Sequence, residues 1–250
     1  MGRLKGRVVI ITGAARGIGQ AYAVAVANEG ANVVAVDIND CEETARMVIA
    51  AGTEGLPVHV DVSNEYEVKD MVRETIKRFG RIDCLVNNAA MFDGLTYQPI
   101  EDVDLEQWDR LFQVNVKGTF ICARAVVPQM RTQGYGKIVN MSSSTVLAGV
   151  TGFPHYVASK GAVFALTRSL SKELGPYGIR VNTIAPGRTD SGALVTMNPN
   201  SPPRTGRAAR SIDRDEIPED LTGTLVYLAS ADSDFVTGQM ISVNGGDMLY

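Results

Sequence analysis

Tyr156 and Lys160 stand four residues apart in Tyr-Val-Ala-Ser-Lys, downstream of the glycine-rich stretch Thr12-Gly13-Ala14-Ala15-Arg16-Gly17-Ile18-Gly19. A phenol and an ammonium at i and i+4 share one helix face, and together they can move a proton. The phenol alone, with an ordinary pKa near ~10, is a poor base at neutral pH. An ammonium about 4 Å away would favour the phenolate by a few kcal/mol at an effective dielectric of about 20, taking the pKa down by about two. The glycine stretch follows an apolar run and leads into a helical pattern, the context in which such a turn cradles a dinucleotide pyrophosphate. Proton transfer beside a bound nicotinamide is oxidoreductase chemistry.

Each glycine has a separate job in that reading. Gly13 allows the tight turn, Gly17 clears the backbone's approach to phosphate, and Gly19 lets helix pack on strand. The amides and the positive helix end then face the anion. Asp37 closes the second strand-like run, about twenty residues past the glycines, where a carboxylate accepts hydrogen bonds from the adenosine ribose. The same charge repels the 2′-phosphate of NADP. Arg16 pulls the other way, since a guanidinium in the turn could reach a phosphate. Asp37 would lie at the discriminating hydroxyl itself, so NAD is expected over NADP.

Apolar β-branched runs alternate with longer stretches of helical period along the whole chain. Strands are predicted at Val8–Ile11, Asn32–Val36, Pro57–Val60, Cys84–Val86, Lys137–Asn140, Arg180–Ile184 and Met240–Val243. Helices are predicted at Gly17–Glu29, Cys41–Ala51, Glu65–Phe79, Leu105–Arg131, Pro154–Leu174 and Pro218–Ser230. Such alternation reads as right-handed crossovers building one α/β domain over residues 1–250, a doubly wound seven-stranded parallel sheet with helices on both faces. One long irregular stretch, from about Thr189 to Ile217, carries Pro199, Pro202 and Pro203. It follows a strand end, where open α/β sheets bind ligands, and is expected to be a substrate lid.

Bulk properties narrow the class. The 250 residues are 45% hydrophobic and suffice for one sizeable core. A formal charge of -4 argues against nucleic acid or an anionic membrane as partner. No apolar run is long enough to span a bilayer. The N-terminus runs straight into Val8-Val9-Ile10-Ile11, too short for a signal-peptide core, so a cytoplasmic enzyme is expected. Cys41, Cys84, Cys122, His59 and His155 form no zinc spacing, so no metal is expected and the thiols are read as small core residues.

The motifs, taken in order, resemble the short-chain dehydrogenase/reductase family over essentially the whole length. Thr12-Gly-x-x-x-Gly-x-Gly19 matches its cofactor turn, and Asn87-Asn88-Ala89-Ala90 its Asn-Asn-Ala-Gly. Asn115 matches its helix asparagine, and Tyr156-x-x-x-Lys160 its active-site signature. Ser143 has the family spacing to Tyr156, and Pro186-Gly187 matches the motif after the sixth strand. The resemblance implies a Rossmann fold, an NAD(P) coenzyme and a homotetramer pairing the helices Leu105–Arg131 and Pro154–Leu174. It implies Tyr156 as general acid/base, Ser143 as hydrogen-bond donor to the substrate oxygen, and Lys160 as partner of the nicotinamide ribose. Asn115 would hold a water on a proton relay. Coenzyme contacts would come from Gly13, Arg16, Ile18, Gly19, Asp37, Asp61, Val62, Asn88, Tyr156, Lys160 and Pro186, Gly187 and Thr189. Two departures stand out: Ala90 replaces a glycine, and Thr189 and Ser191 replace the usual aliphatic residue and threonine.

Residues 92–100, 145–155 and 190–216 should line the substrate pocket. They offer Phe92, Val146, Leu147, Phe153, His155, Leu194, Val195 and Met197, walls suited to a secondary or aromatic alcohol and its ketone or aldehyde. Arg204, Arg207, Arg210 and Arg214 could catch an anionic group, or be solvated charges balanced by Asp213, Asp215 and Glu216. The expected activity is NAD-dependent alcohol oxidation with its reverse. The alternative is a 3-oxoacyl thioester reductase using NADPH.

Overall fold

The computed structural model describes residues 2–192 and 210–249. Among them, β1 (Val8–Thr12), β2 (Asn32–Asp37), β3 (Gly55–His59), β4 (Cys84–Asn87), β5 (Gly136–Met141), β6 (Ile179–Pro186) and β7 (Met240–Val243) form one sheet. Their order is β3-β2-β1-β4-β5-β6-β7, and every neighbouring pair is parallel. The helices are α1 (Gly17–Asn28), α2 (Glu42–Ala50), α3 (Glu65–Phe79), α4 (Leu105–Phe112), α5 (Thr119–Gln133), α6 (Thr145–Ala148), α7 (Pro154–Leu174) and α8 (Glu219–Ala229).

Strand periodicity explains why both faces are covered. Val9 and Ile11 of β1 pack with Val33 and Ala35 of β2 beneath α1 and α8, in one buried cluster. The alternate residues, Val8, Ile10, Val34 and Val36, pack with α3 and α5 in another. A strand buried on both sides has no polar face, hence the near-continuous apolar runs. Pro57 lies in β3, which pairs only with β2; at that edge its missing N–H costs little.

The order reverses between β2-β1 and β4-β5, placing a crevice at the carboxyl ends of β1 and β4. Thr12, Asp37, Asn87, Met141 and Pro186 are the last residues of their strands. Seven strands were expected and seven are found among the described residues, with ends shifted by at most two residues; β3 starts at Gly55 because Val33 pairs with it.

The single helix expected over Leu105–Arg131 is corrected. It divides into α4, a π-helical stretch Gln113–Gly118, and α5. A π stretch shifts the helical phase by about one residue while both flanking segments keep their own period, so the joined run still reads as one helix. The short α6 was also absent from the expected elements.

Candidate functional site

The turn after β1 is built around backbone contact. Gly13 has a φ of 66°, and a Cβ there would come within 2.8 Å of the Ala89 Cα. A Cβ on Gly19 would sit 2.0 Å from the Gly13 carbonyl oxygen. These positions admit only glycine. Asn88 fixes the turn from the side: its amide donates to the carbonyls of Thr12 and Gly13, both at 3.0 Å. The Thr12 hydroxyl accepts from the amides of Asn88 at 3.1 Å and Ala89 at 3.0 Å.

The start of α1 differs from that of α3. Asn64 caps α3 through the Tyr66 amide at 3.0 Å, with Glu65 and Glu67 in its first turn. No side chain caps α1, and its first turn has no acidic residue. Its first amides and the positive end of its dipole are left for an anion. This turn, with a carboxylate at the end of β2, fits a dinucleotide.

Asp37 Oδ2 accepts from the Ala15 amide at 3.1 Å, tying the turn to β2. Its Oδ1 accepts from the Asn39 backbone and side-chain amides at 2.9 and 3.0 Å. Arg16 lies in the same turn, largely exposed, and forms an ion pair with Asp93 from the segment after β4. Ile18 packs against the cluster beneath α1. Asp61 accepts from the Ser63 amide at 2.8 Å, and Val62 is buried under the π stretch, where a Cβ on Gly118 would meet it at 2.9 Å.

Beside this crevice lie Ser143, just past the end of β5, and Tyr156 and Lys160 on the first turns of α7. Pro154 starts that helix, at a position where its missing N–H is harmless. A buried polar ladder anchors α7: Asn87 Nδ2 donates to Asn140 Oδ1 at 2.9 Å, and Asn140 Nδ2 to the Thr167 hydroxyl at 2.8 Å. Thr183 Oγ1 meets Thr167 Oγ1 at 2.7 Å. β4, β5, β6 and α7 are thus fixed relative to one another.

Lys160 is buried, and its ammonium donates to the Met141 carbonyl at 3.0 Å. Its Nζ lies 5.7 Å from the centre of the Tyr156 ring. Burial pushes the Lys160 pKa down to about 8. Burial pushes the Tyr156 phenol up to about 12, with the Ser143 hydrogen bond acting the other way. The expected lowering of the phenol pKa by Lys160 is therefore corrected for the protein alone. The lysine is engaged by the Met141 carbonyl, and loss of hydration dominates the phenol. Ser142 turns away, donating its hydroxyl to the Lys160 carbonyl at 2.9 Å.

Asn115 occupies the π stretch and is buried. Its Oδ1 accepts from the Met91 amide at 2.7 Å, and its Nδ2 donates to Ser159 Oγ at 3.2 Å. It thus joins the segment after β4 to α7, one residue from Lys160. Pro186 accepts from the Ser144 amide at 2.9 Å, and Gly187 donates to Val243 at 2.9 Å. Thr189 forms an isolated parallel bridge with Glu216.

The wall around Tyr156 is aromatic. Phe92 lies 4.9 Å from it, ring to ring, and Tyr97 meets Phe153 edge-on at 6.5 Å. Leu95 and Leu111 are buried behind them. His155, suggested for the pocket, instead turns into α4: its Nε2 contacts Gln107 Oε1 at 3.2 Å and its ring stacks near Trp108. Arg214 pairs with Asp220 at 2.6 Å, and Arg210 donates to the Arg188 carbonyl at 2.9 Å. Leu194, Val195, Met197, Arg204, Arg207 and most of the expected lid lie outside the described residues.

Sequence reasoning missed Asn140, Thr167, Asp93 and Glu216. A clue existed for Asn140, an amide within the apolar strand Lys-Ile-Val-Asn-Met. Glu216 gave none, because a carboxylate in a charged segment reads as solvated. Among the described residues no group of three or more His, Cys, Asp or Glu could hold a metal, and no helix is long and apolar enough to cross a membrane.

Comparison with known proteins agrees with this geometry. A family model described as enoyl-(acyl carrier protein) reductase matches residues 13–247. The chain is 39% identical over 250 residues to the 3-oxoacyl-[acyl-carrier-protein] reductase FabG of Thermotoga maritima, covering 98% of each chain. It is 39% identical over 259 residues to the sorbitol dehydrogenase of Cereibacter sphaeroides, covering 99% of each. The crystal structure of a carveol dehydrogenase from Mycobacterium avium in complex with NAD superimposes with a TM-score of 0.92 at 28% identity, covering 100% of both chains. The chain belongs to the short-chain dehydrogenase/reductase family, NAD(P)-dependent oxidoreductases that act on CH–OH groups.

Proposed function

We propose that this enzyme is an NAD-dependent alcohol dehydrogenase that interconverts a secondary or aromatic alcohol with its ketone or aldehyde. The observation that carries the reading is the meeting of Ser143, Tyr156 and Lys160 at the end of β5, beside a glycine turn that Asp37 ties to the end of β2. A bound nicotinamide coenzyme supplies the hydride donor or acceptor. The turn Gly13–Gly19 and the bare start of α1 hold its pyrophosphate, with Arg16, Ile18 and Asn88 around them. Asp37 accepts from its adenosine ribose, Asp61 and Val62 border its adenine, and Pro186, Gly187 and Thr189 meet its nicotinamide. Lys160 binds the second ribose, and Tyr156 stands beside it, adding little to affinity.

In the reducing direction the protonated Tyr156 phenol gives its proton to the carbonyl oxygen. Ser143 donates a hydrogen bond to that oxygen as charge builds on it. In the oxidising direction Tyr156 takes the hydroxyl proton, which requires its pKa to fall from the value it has in the protein alone. Asn115 orients the proton path from Lys160 to solvent. Phe92 and Phe153 shield one side of the reacting carbon and favour an apolar substrate.

Asp37 supports NAD, because a carboxylate at the end of β2, where the adenosine ribose would lie, repels a 2′-phosphate. The likeness to a 3-oxoacyl-[acyl-carrier-protein] reductase supports a second reading, reduction of a 3-oxoacyl thioester with NADPH. One experiment separates them: turnover of cyclic, aromatic and linear secondary alcohols with NAD and with NADP, beside 3-oxoacyl thioester reduction with NADH and NADPH. The first reading predicts NADH formation from apolar alcohols and at least a tenfold preference for NAD, on the order expected of one misplaced charge. A strong NADPH preference with thioester turnover would replace it. The enzyme is further proposed to be a cytoplasmic homotetramer. An exposed groove lined by Phe112, Val116, Phe120 and Leu166 supports pairing through α4, α5 and α7.

A further inference from the structure

One buried carboxyl has no part in the chemistry described above. Glu216 is only 5% exposed and stands shortly before α8. Its main chain bridges to Thr189, and its carbonyl accepts from the Asp190 amide at 2.7 Å. Its Oε1 accepts from the Thr189 hydroxyl at 2.6 Å. Its Oε2 is buried without a hydrogen-bond partner and lies against Gly187, where a Cβ would come within 2.7 Å of it. One side chain thus touches both Gly187 and Thr189 of the segment that follows β6.

That segment is held at its other end by the site itself, since Pro186 accepts from the Ser144 amide next to Ser143. Thr189 and Glu216, twenty-seven residues apart in sequence, are thus held side by side beyond the end of β6. The carboxyl therefore joins the segment after β6 to the approach to α8. An apolar side chain could fill the space but would leave the Thr189 hydroxyl unpaired in the interior. Burial holds the Glu216 carboxyl above the usual carboxylate range, with Thr189 and Arg210 opposing. A neutral side chain of the same shape should then serve as well as the acid.

We propose that Glu216 is a positioning residue, a buried clip that holds Pro186–Thr189 in the one conformation that receives the nicotinamide end of the coenzyme. This inference rests on the reading of that segment as a coenzyme contact. A ligand that binds one conformer loses apparent affinity in proportion to the fraction of chains outside it. Releasing the clip should therefore weaken coenzyme binding more than it slows the chemical step.

The test is the NADH dissociation constant, by NADH fluorescence, for Glu216→Ala, Glu216→Gln, Thr189→Val and the double variant Glu216→Ala/Thr189→Val, with thermal midpoints measured alongside. Expected are a weakening of about tenfold in Glu216→Ala, a matching rise in the coenzyme KM, and kcat changed by less than about threefold. Glu216→Gln should bind NADH within about threefold of the parent, and the double variant should be no weaker than the worse single one. Unchanged NADH affinity in Glu216→Ala with a lowered midpoint would overturn the proposal, as would additive losses in the double variant. Tyr156→Phe separates the clip from the site reading: intact NADH binding with lost turnover there upholds the site, so that failure of the clip shows only at Glu216 and Thr189.

Discussion

Burial sets the charge states at the candidate centre before any coenzyme arrives. The Tyr156 phenol, at about 12, is protonated at neutral pH, and Lys160, at about 8, holds its proton against a desolvation cost. The fold is thus ready as an acid and must be converted to a base, so alcohol oxidation should rise with pH where carbonyl reduction falls. The lysine also has a stability consequence. Its folded pKa lies below the unfolded 10.5, so the unfolded chain binds more protons between about pH 8 and 10.5. Wild-type stability gains from this group as pH rises through that window, and the full cost applies below it. Lys160→Met should therefore stabilise the protein at pH 7 by at most about 3 kcal/mol, less the lost bond to Met141. The gain should shrink toward pH 10. Urea unfolding of both proteins at the two pH values checks this; a gain that grew with pH would contradict it.

At the scale of elements, the turn and the π stretch show what was legible in the chain and what was not. Thr12 to Gly19 could be read directly, because a close approach of backbone to backbone demands a particular residue type. Gly19→Ala places a Cβ 2.0 Å from the Gly13 carbonyl, so helix and strand must separate. We expect coenzyme binding to weaken by more than about a hundredfold, as for other displaced contacts of a phosphate cradle, with the far-ultraviolet spectrum retained. Calorimetric titration with NADH measures it. The strands were legible because burial on both faces forces apolar runs. The break between α4 and α5 was not, since a π insertion leaves the composition unchanged while redirecting Asn115 toward Met91 and Ser159. The charge states were hidden as well. Spacing put Tyr156 and Lys160 on one face, but only the packed structure shows Lys160 spending its ammonium on the Met141 carbonyl. Glu216 became visible only once β6 and the start of α8 met.

The whole molecule is a sheet whose carboxyl ends gather residues from distant parts of the chain, from Gly13 to Glu216. Binding at that crevice draws on every crossover at once, so coenzyme should stabilise the entire fold rather than a local segment. Away from it, Leu105 and Phe120 are exposed along α4 and α5. Solvent is a poor partner for such a face, and a second copy of the same helices would cover it. Light scattering should give four times the 26.8 kDa chain mass; a monomer at micromolar concentration would contradict this.

The central claim is that the Tyr156 hydroxyl carries the proton while the rest of the site binds coenzyme without it. Tyr156→Phe, studied with NADH binding by fluorescence and single-turnover reduction of a ketone, tests it most directly. The account predicts NADH affinity within about threefold of the parent and turnover lower by at least about a hundredfold, the scale of a lost general acid. Turnover near the parental rate in that variant would contradict it.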